Sequence, residues 1–476
     1  MPERTTRERM DPHRLGCPEH TIPTPTPSVP SRLMSRDDCT AVYDHIAKLA
    51  GGHGRLTVVL SSVWRGNLRW TNNDVISAGD TTDHTIGILW DSYTMYTTNQ
   101  FDDASLTRAL NRLQTAHRIE GIQKPTLIGP QRYSTPEVFF ESTANLLAAQ
   151  RSAIGKRLAE PMNAAGLRSA GYLEVQTGAY AAFNSQGLVA YAQSSDAQYS
   201  VTVRNPSDTG SGWAGVDQND WAKIDAVGLT ERARSKCIAS AEPRAIEPGR
   251  YVAILEPQAV HDLMQIAILG PALDRLQAES QPSVYHLTGD QSKLGRRVFD
   301  ARISITSDPM DPLCGTLPFV SEGWYAGEPI GRTSWVTDGV LTNLAYDRRY
   351  ARAQLLTANA QPIPQSYHMS GGSTSIDEMI ASTERGVLVT RFSHLRIVDP
   401  GSFLVTGVTR DGLWLIEHGK VTYAIKNFRF NESPLFVFNA VEQLGVPTRV
   451  FSPGQPAVVP PVKVRDFNFT SLADAV

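Results

Sequence analysis

Residues 248–268 read PGRYVAILEPQAVHDLMQIAI, a chain break, a strand and a helix in succession. Pro248-Gly249 interrupts regular structure, and RYVAIL is a short apolar run of strand length. Pro257 suits the first turn of a helix, where a missing N–H costs nothing. Beyond it Val260, Leu263, Met264, Ala267 and Ile268 recur at helical spacing, with His261 on the flank of that stripe. A strand that starts after a break and feeds an apolar helix predicts a second domain beginning near residue 246.

Upstream, the pattern predicts a mixed domain over residues 35–245. Ser35 or Asp37 can cap a helix that Gly51-Gly52 ends. A β-branched and aromatic stretch follows, punctuated by Arg65-Gly66 and Asn72-Asn73, and reads as antiparallel strands. Leu106, Leu110 and Leu113 mark a helix, and Thr135-Pro136-Glu137 is a start signal for another. Residues 170–204 return to strand pattern. Residues 1–34 are of another kind: seven of the chain's 30 prolines fall within its first 30 residues. Proline removes backbone donors and little there can form a core, so this part reads as an extended or disordered arm.

Downstream, strands dominate residues 246–476, with hairpin signals at Asp411-Gly412 and His418-Gly419. Ser375 and Glu378 form a capping box before a short helix that Gly386 closes. The fold class is therefore α+β: an N-terminal domain with an antiparallel sheet and long helices, then a β-rich C-terminal domain with a few helices.

Bulk properties narrow the function. The chain has 476 residues, 45 Lys plus Arg against 48 Asp plus Glu, and 41% hydrophobic residues. That balance gives no electrostatic case for nucleic acid or an anionic membrane as partner. Cys17, Cys39, Cys237 and Cys314 are far apart with no CxxC pair, which reads as reduced thiols. No apolar run reaches the ~18 residues of a membrane span, and the N-terminus lacks a secretory h-region. A cytoplasmic protein is expected.

Several blocks together carry a resemblance: PGRYVAILEPQAV, SEGWYAG, SWVTDGVLTNLAYDRRYA, SIDEMIASTERGVLVTRF, DGLWLIEHGKVTYAIKNFRFN and PVKVRDFNFTS, with FNSQGLVAYA and GSGWAG earlier. In this order they resemble the TldD/PmbA family. The resemblance implies a cytoplasmic dimer of two related subunits: a TldD type that holds zinc and hydrolyses peptides, and a TldE (PmbA) type that lacks the metal site. It also implies where the zinc would be, since the TldD type carries HExxxH on the helix after the PG-Y-V-L strand and a cysteine near the C-terminus. Here that helix offers His261, Asp262, Leu263, Met264, Gln265 and Ile266. One imidazole is left, the glutamate position is an aspartate, Ile266 cannot bind metal, and no cysteine follows Cys314.

The expectation is therefore a non-catalytic TldE-like subunit of a heterodimeric zinc metallopeptidase acting on small or unfolded peptides. No catalytic, cofactor or metal residue is assigned in this chain, His261 and Asp262 remaining as residual metal candidates, and zinc is expected in a TldD-like partner. Two other readings stand beside it: a divergent metal-dependent hydrolase using His261 and Asp262, and a non-catalytic dimer binding a peptide or metabolite. His286, His368 and His394 could join His261; His368 otherwise reads as a solvated loop residue. Glu322 before Gly323 reads as a turn residue, and Asp308 and Asp311 in SDPMDP as Asx turns. Gly210–Trp213 lacks the strand-to-helix context of a phosphate loop, so nucleotide binding is rejected.

Overall fold

The computed structural model describes residues 33–91, 93–120, 125–269, 271–280, 283–356 and 360–473. The arm read over residues 1–34 lies outside them except for Leu33 and Met34, which pack against the N-terminal core. Helix α1 (Arg36–Leu49) begins at Ser35, whose hydroxyl accepts the Asp38 N–H while the Asp38 carboxylate accepts the Ser35 N–H. This reciprocal cap fixes the start, and Gly51 and Gly52, both at positive φ, turn the chain away at the other end.

Strands β1 (Leu56–Thr71), β2 (Asp74–Trp90), β3 (Tyr96–Thr98), β4 (Arg168–Asn184), β5 (Val189–Arg204) and β6 (Ser211–Gln218) make one antiparallel sheet in the order β3-β2-β1-β4-β5-β6. Helices α2 (Asp103–Glu120), α3 (Glu141–Ala144) and α4 (Ala148–Ala164) lie between β3 and β4 in sequence, and α5 (Ala226–Ala239) follows β6. Leu106, Leu110 and Leu113 are buried, which is the face that places α2 on the sheet.

Two local signals resolve differently from their sequence reading. Asn72 and Asn73 do make the β1–β2 turn, both at positive φ, but Arg65-Gly66 lies inside β1, opposite Thr81 and Asp80. Gly66 is needed there because the buried Arg151 guanidinium of α4 lies against it and leaves no room for a Cβ. The helix expected from Pro136 is displaced and split: one turn, α3, forms at Glu141–Ala144, and the long α4 begins only at Ala148. Val138 accepts the Ser195 N–H at 2.8 Å and Phe140 donates to the Ser195 hydroxyl at 2.9 Å, so this segment is tied along β5. Glycines at 210 and 212 have a packing role: a Cβ on either would run into the backbone of α5, at Cys237 and Ala233.

The C-terminal half holds two larger sheets. In the first, β7 (Gly249–Leu255) lies between Arg385–Asp399, its parallel neighbour, and the antiparallel Val462–Leu472. The pairing continues to Phe428–Glu432 and Leu404–Glu417, and Leu404–Glu417 pairs back onto Arg385–Asp399, closing a ring of five strands. Phe392, Phe430, Phe467 and Phe469 pack together in this core, with the Phe392 and Phe430 rings 4.7 Å apart. The second sheet runs Val340–Leu341, Thr333–Thr337, Ile305–Ser307, Tyr367–Met369, Ala457–Val459, Thr448–Arg449.

Asp411-Gly412 is not a hairpin turn. It sits within Leu404–Glu417, both residues at positive φ, beside an irregularity in the pairing with Val389 and Arg391. The buried Asp411 carboxylate accepts from Arg391 at 2.5 Å and from the Ser211 hydroxyl of β6 at 2.6 Å, so the kink serves a polar contact between the two halves. Gly386 also lies in a strand, opposite Val252 and Ile416; the capped helix Ile376–Ala381 ends at Ser382. His418-Gly419 forms a hairpin turn. The fold is α+β, with an antiparallel sheet in the N-terminal region and a β-rich C-terminal region. Among the described residues no helix is long and apolar enough to cross a membrane.

Candidate functional site

Helix α6 (Pro257–Ile268) follows β7 and starts with Pro257 at its first position. It is apolar on most sides and lies between the strand ring and the second sheet, so His261 and Asp262 are buried with it. His261 is 2% exposed and Asp262 8%. The His261 Nδ1 is 2.8 Å from the Tyr367 hydroxyl of the second sheet, and the two rings stack. Burial holds the imidazole pKa down to about 3, so the ring is neutral. One carboxylate oxygen of Asp262 accepts the Phe392 N–H of the ring at 2.8 Å and the other accepts from Gln258 at 3.0 Å. Burial pushes the Asp262 carboxyl up to about 6 against the pull of those two hydrogen bonds.

A catalytic zinc needs three donors facing one open point, with room for water. Here an imidazole nitrogen is engaged by the second sheet, one carboxylate oxygen by the strand ring and the other by Gln258 of the same helix, and Ile266 packs against the apolar core. The residues at this position do not fit a zinc of the peptidase type. The other histidines do not gather at His261 either. His286 Nδ1 is 3.0 Å from the Ala278 carbonyl, and His394, exposed and at positive φ, lies beside Ser393.

His368 goes elsewhere. Its Nδ1 is 2.8 Å from an Asp311 carboxylate oxygen, and Cys314 completes a cluster whose ligand-type atoms all lie within 4.8 Å of one another. The Asp311 side chain also accepts the Leu313 N–H at 2.8 Å, an Asx turn like that of Asp308 with Met310. Burial would raise the Asp311 carboxyl, but the hydrogen bonds from His368 and Leu313 outweigh it and hold the pKa at about 2. Burial, then the Asp311 charge, pushes the Cys314 thiol up to about 12. Each residue could be singled out in the sequence; nothing there brings His368 to the turn that carries the other two.

Beside this cluster is a cleft of about 810 Å³, within the range of ligand pockets. One wall is the polar face of β4 and β5: Glu174 and Gln176 alternate along one strand, and Ser194, Asp196 and Gln198 along the other. Residues 315–322 and 453–456 of the C-terminal half make the opposite wall, with Gln365 and Tyr325. Glu174 accepts from the Tyr172 hydroxyl at 2.5 Å and from Gln198 at 2.9 Å; Arg65 donates to Gln176 at 2.6 Å. Burial, then the charge of Asp217, raises the Asp196 carboxyl well above the usual carboxylate range, against the opposing pull of Arg449. Glu322 is exposed at the rim, and Gly323 beside it is at positive φ. The strand pattern of residues 170–204 was visible in the sequence; what faces it was not.

Residues 248–471 match a family model described as the PmbA/TldA metallopeptidase C-terminal domain. Over these residues the C-terminal half is similar to that family's C-terminal domain. A search of the curated proteins finds no match. Among solved structures, the fold is similar to a protein described as a modulator of a DNA gyrase from Thermotoga maritima, with a TM-score of 0.79 and 17% identity over 91% of this chain and all of that one. TldE from Thermococcus kodakarensis matches with a TM-score of 0.78 and 14% identity over 90% of this chain and all of that one. A protein described as a modulator of DNA gyrase from Bacteroides thetaiotaomicron matches with a TM-score of 0.78 and 17% identity over 92% of this chain and all of that one. At such identities the likeness speaks for the fold alone. It covers both halves of the chain.

Proposed function

We propose that this chain is a TldE-like, non-catalytic subunit of a TldD/TldE-type zinc metallopeptidase, a cytoplasmic heterodimer that cleaves small or unfolded peptides. The observation that carries this reading is the state of α6. The helix stands after β7 in a PmbA/TldD-type domain, yet His261 and Asp262 are spent on joining two sheets and Ile266 stands where a second imidazole is needed. The hydrolytic chemistry then belongs to zinc in a TldD-like partner, which would lower the pKa of its bound water and polarise the scissile carbonyl.

This chain would bind and orient the substrate. In this reading, residues 35–245 and 246–476 act as two domains and the peptide is held in the cleft between them. The polar faces of β4 and β5 suit main-chain amides, and the Glu174 carboxylate favours a substrate with a free amino end or basic side chains. Such contacts position an extended peptide and exclude water without any catalytic group in this chain.

The test is to assay this chain, an HExxxH-bearing partner, and the two mixed on an unstructured peptide. Turnover is expected in the mixture and to be lost on chelation. His261→Gln here should leave the rate within a few-fold, whereas removing the partner's glutamate should cost ~10²–10⁴-fold. Chelator-sensitive turnover by this chain alone would overturn the assignment.

A further inference from the structure

We propose that Asp311, Cys314 and His368 form a binding site for a thiophilic divalent metal, zinc by its ligand preferences, at a position separate from α6. The proposal does not depend on the TldE-like reading, which concerns α6 alone.

The donor set suits the ion. Zinc takes cysteine sulfur, histidine nitrogen and carboxylate oxygen together, while magnesium and calcium take oxygen alone. The spacing also suits it. Bond lengths of about 2.0–2.3 Å put tetrahedral zinc ligands roughly 3.3–3.8 Å apart. Here the three ligand atoms lie within 4.8 Å of one another, so small side-chain rotations close the site. Charge balances as well: a carboxylate, a thiolate and a neutral imidazole carry two negative charges against a dication, with the thiol proton passing to solvent as the metal binds.

The donors are held by rigid parts of the fold. Asp311 and Cys314 stand three residues apart on a turn closed by Asp311 N–H to the Asp308 carbonyl at 3.1 Å and Thr316 N–H to the Pro309 carbonyl at 3.3 Å. Gly315 packs against the Asp311 and Pro309 carbonyls, which keeps that turn tight. His368 lies on a strand paired on both sides, with Thr306 and Val458. Arg449 donates to the Leu313 carbonyl at 2.6 Å, but its charge is already matched by Asp217 at 2.6 Å. Cys314 is fully buried, while His368 and Asp311 keep 29% and 14% of their side chains exposed, which gives an ion a way in. The neighbouring Gly315, Thr316 and Gln365 line the cleft, so the ion would stand in its wall.

Cobalt(II) reads the site directly, because a thiolate ligand gives it a charge-transfer band. The full chain, stripped with a chelator and dialysed, should take up about one cobalt per chain with that band, and zinc should displace it. Cys314→Ser should abolish the band. His368→Gln and Asp311→Asn should weaken binding at least ~10-fold, the scale of losing a ligand or its orienting group. Cys237→Ser and His261→Gln should change nothing. His368→Gln is the variant to rely on should Cys314→Ser fail to fold, because its side chain is partly exposed. Absence of stoichiometric uptake by the wild-type chain, or a band that survives Cys314→Ser, would overturn the proposal. So would uptake that follows Cys237 or His261.

Discussion

Two adjacent residues of α6 carry opposite pH signatures. His261 is held at about 3 in the folded protein against ~6.5 in an unfolded chain. The unfolded state therefore binds more protons between those values, and the contribution of His261 is full above about pH 6.5 and falls as pH drops. Asp262 is held at about 6 against ~3.9 unfolded. Its burial cost is complete above about pH 6 and vanishes as the pH falls toward 4. The two effects offset each other between pH 4 and 6. Asp262→Asn removes the counterweight, so between pH 6.5 and 4.5 its stability should fall about 2 kcal/mol more than that of the wild type. His261→Gln should shift the curve the other way. Urea unfolding at pH 7.5, 6.0 and 4.5 would read this; parallel profiles for all three proteins would refute it. At this scale the sequence told which residues could not bind metal, because Ile266 has no donor. It did not tell what His261 and Asp262 bind, because Tyr367 and Phe392 are more than a hundred residues away and reach them only through strand pairing.

Glycines give the clearest contrast between elements. Gly212 lies where β6 meets the backbone of α5, and no side chain there can move aside. Gly79, in β2, has nothing within 4 Å of the point where a Cβ would stand. Gly212→Ala should cost about 3 kcal/mol or more by forcing helix and strand apart, while Gly79→Ala should be neutral or slightly stabilising. Thermal melts of the two variants would decide it, and equal losses would mean that α5 is free to move. Elements whose ends are set by local chemistry were legible: a cap at Ser35 or Asp37, of which the structure uses Ser35, the capping box at Ser375, Pro257 at the start of α6, the turns at Asn72-Asn73 and His418-Gly419. Arg65-Gly66 and Asp411-Gly412 were not, since the same dipeptides serve a hairpin or a kink within a strand. Arg151 decides the first, and Arg391 with Ser211 the second, all distant in sequence.

Across the whole molecule, Arg449 and Asp217 join the two halves. Both are buried, 2.6 Å apart, and Asp217 also accepts the Ser452 N–H at 2.5 Å. Removing one partner of a buried pair strands the other charge, at a cost of about 3–5 kcal/mol. Arg449→Met should therefore lower stability by that order, and Arg449→Met with Asp217→Asn should recover part of the loss. Calorimetry on both variants would check this; a double variant no better than the single one would show that the ion pair matters less than its shape. The α+β class was legible because composition and periodicity change along the chain. The cleft was not, since its two walls come from halves whose approach depends on contacts such as this one.

The closed ring has a consequence in time. Strand β7 pairs with Arg385–Asp399 and with Val462–Leu472, both far downstream. At ribosomal rates of about 5–20 residues per second, the second neighbour is made roughly 10–40 s after β7. Until Arg385–Asp399 is made the sequence Gly249–Leu255 has two unsatisfied edges, and for the rest of the interval it has one, with an apolar helix behind it. The nascent C-terminal half is thus exposed to misassociation until nearly its last strand, and slower elongation through residues 256–461 lengthens that exposure instead of relieving it.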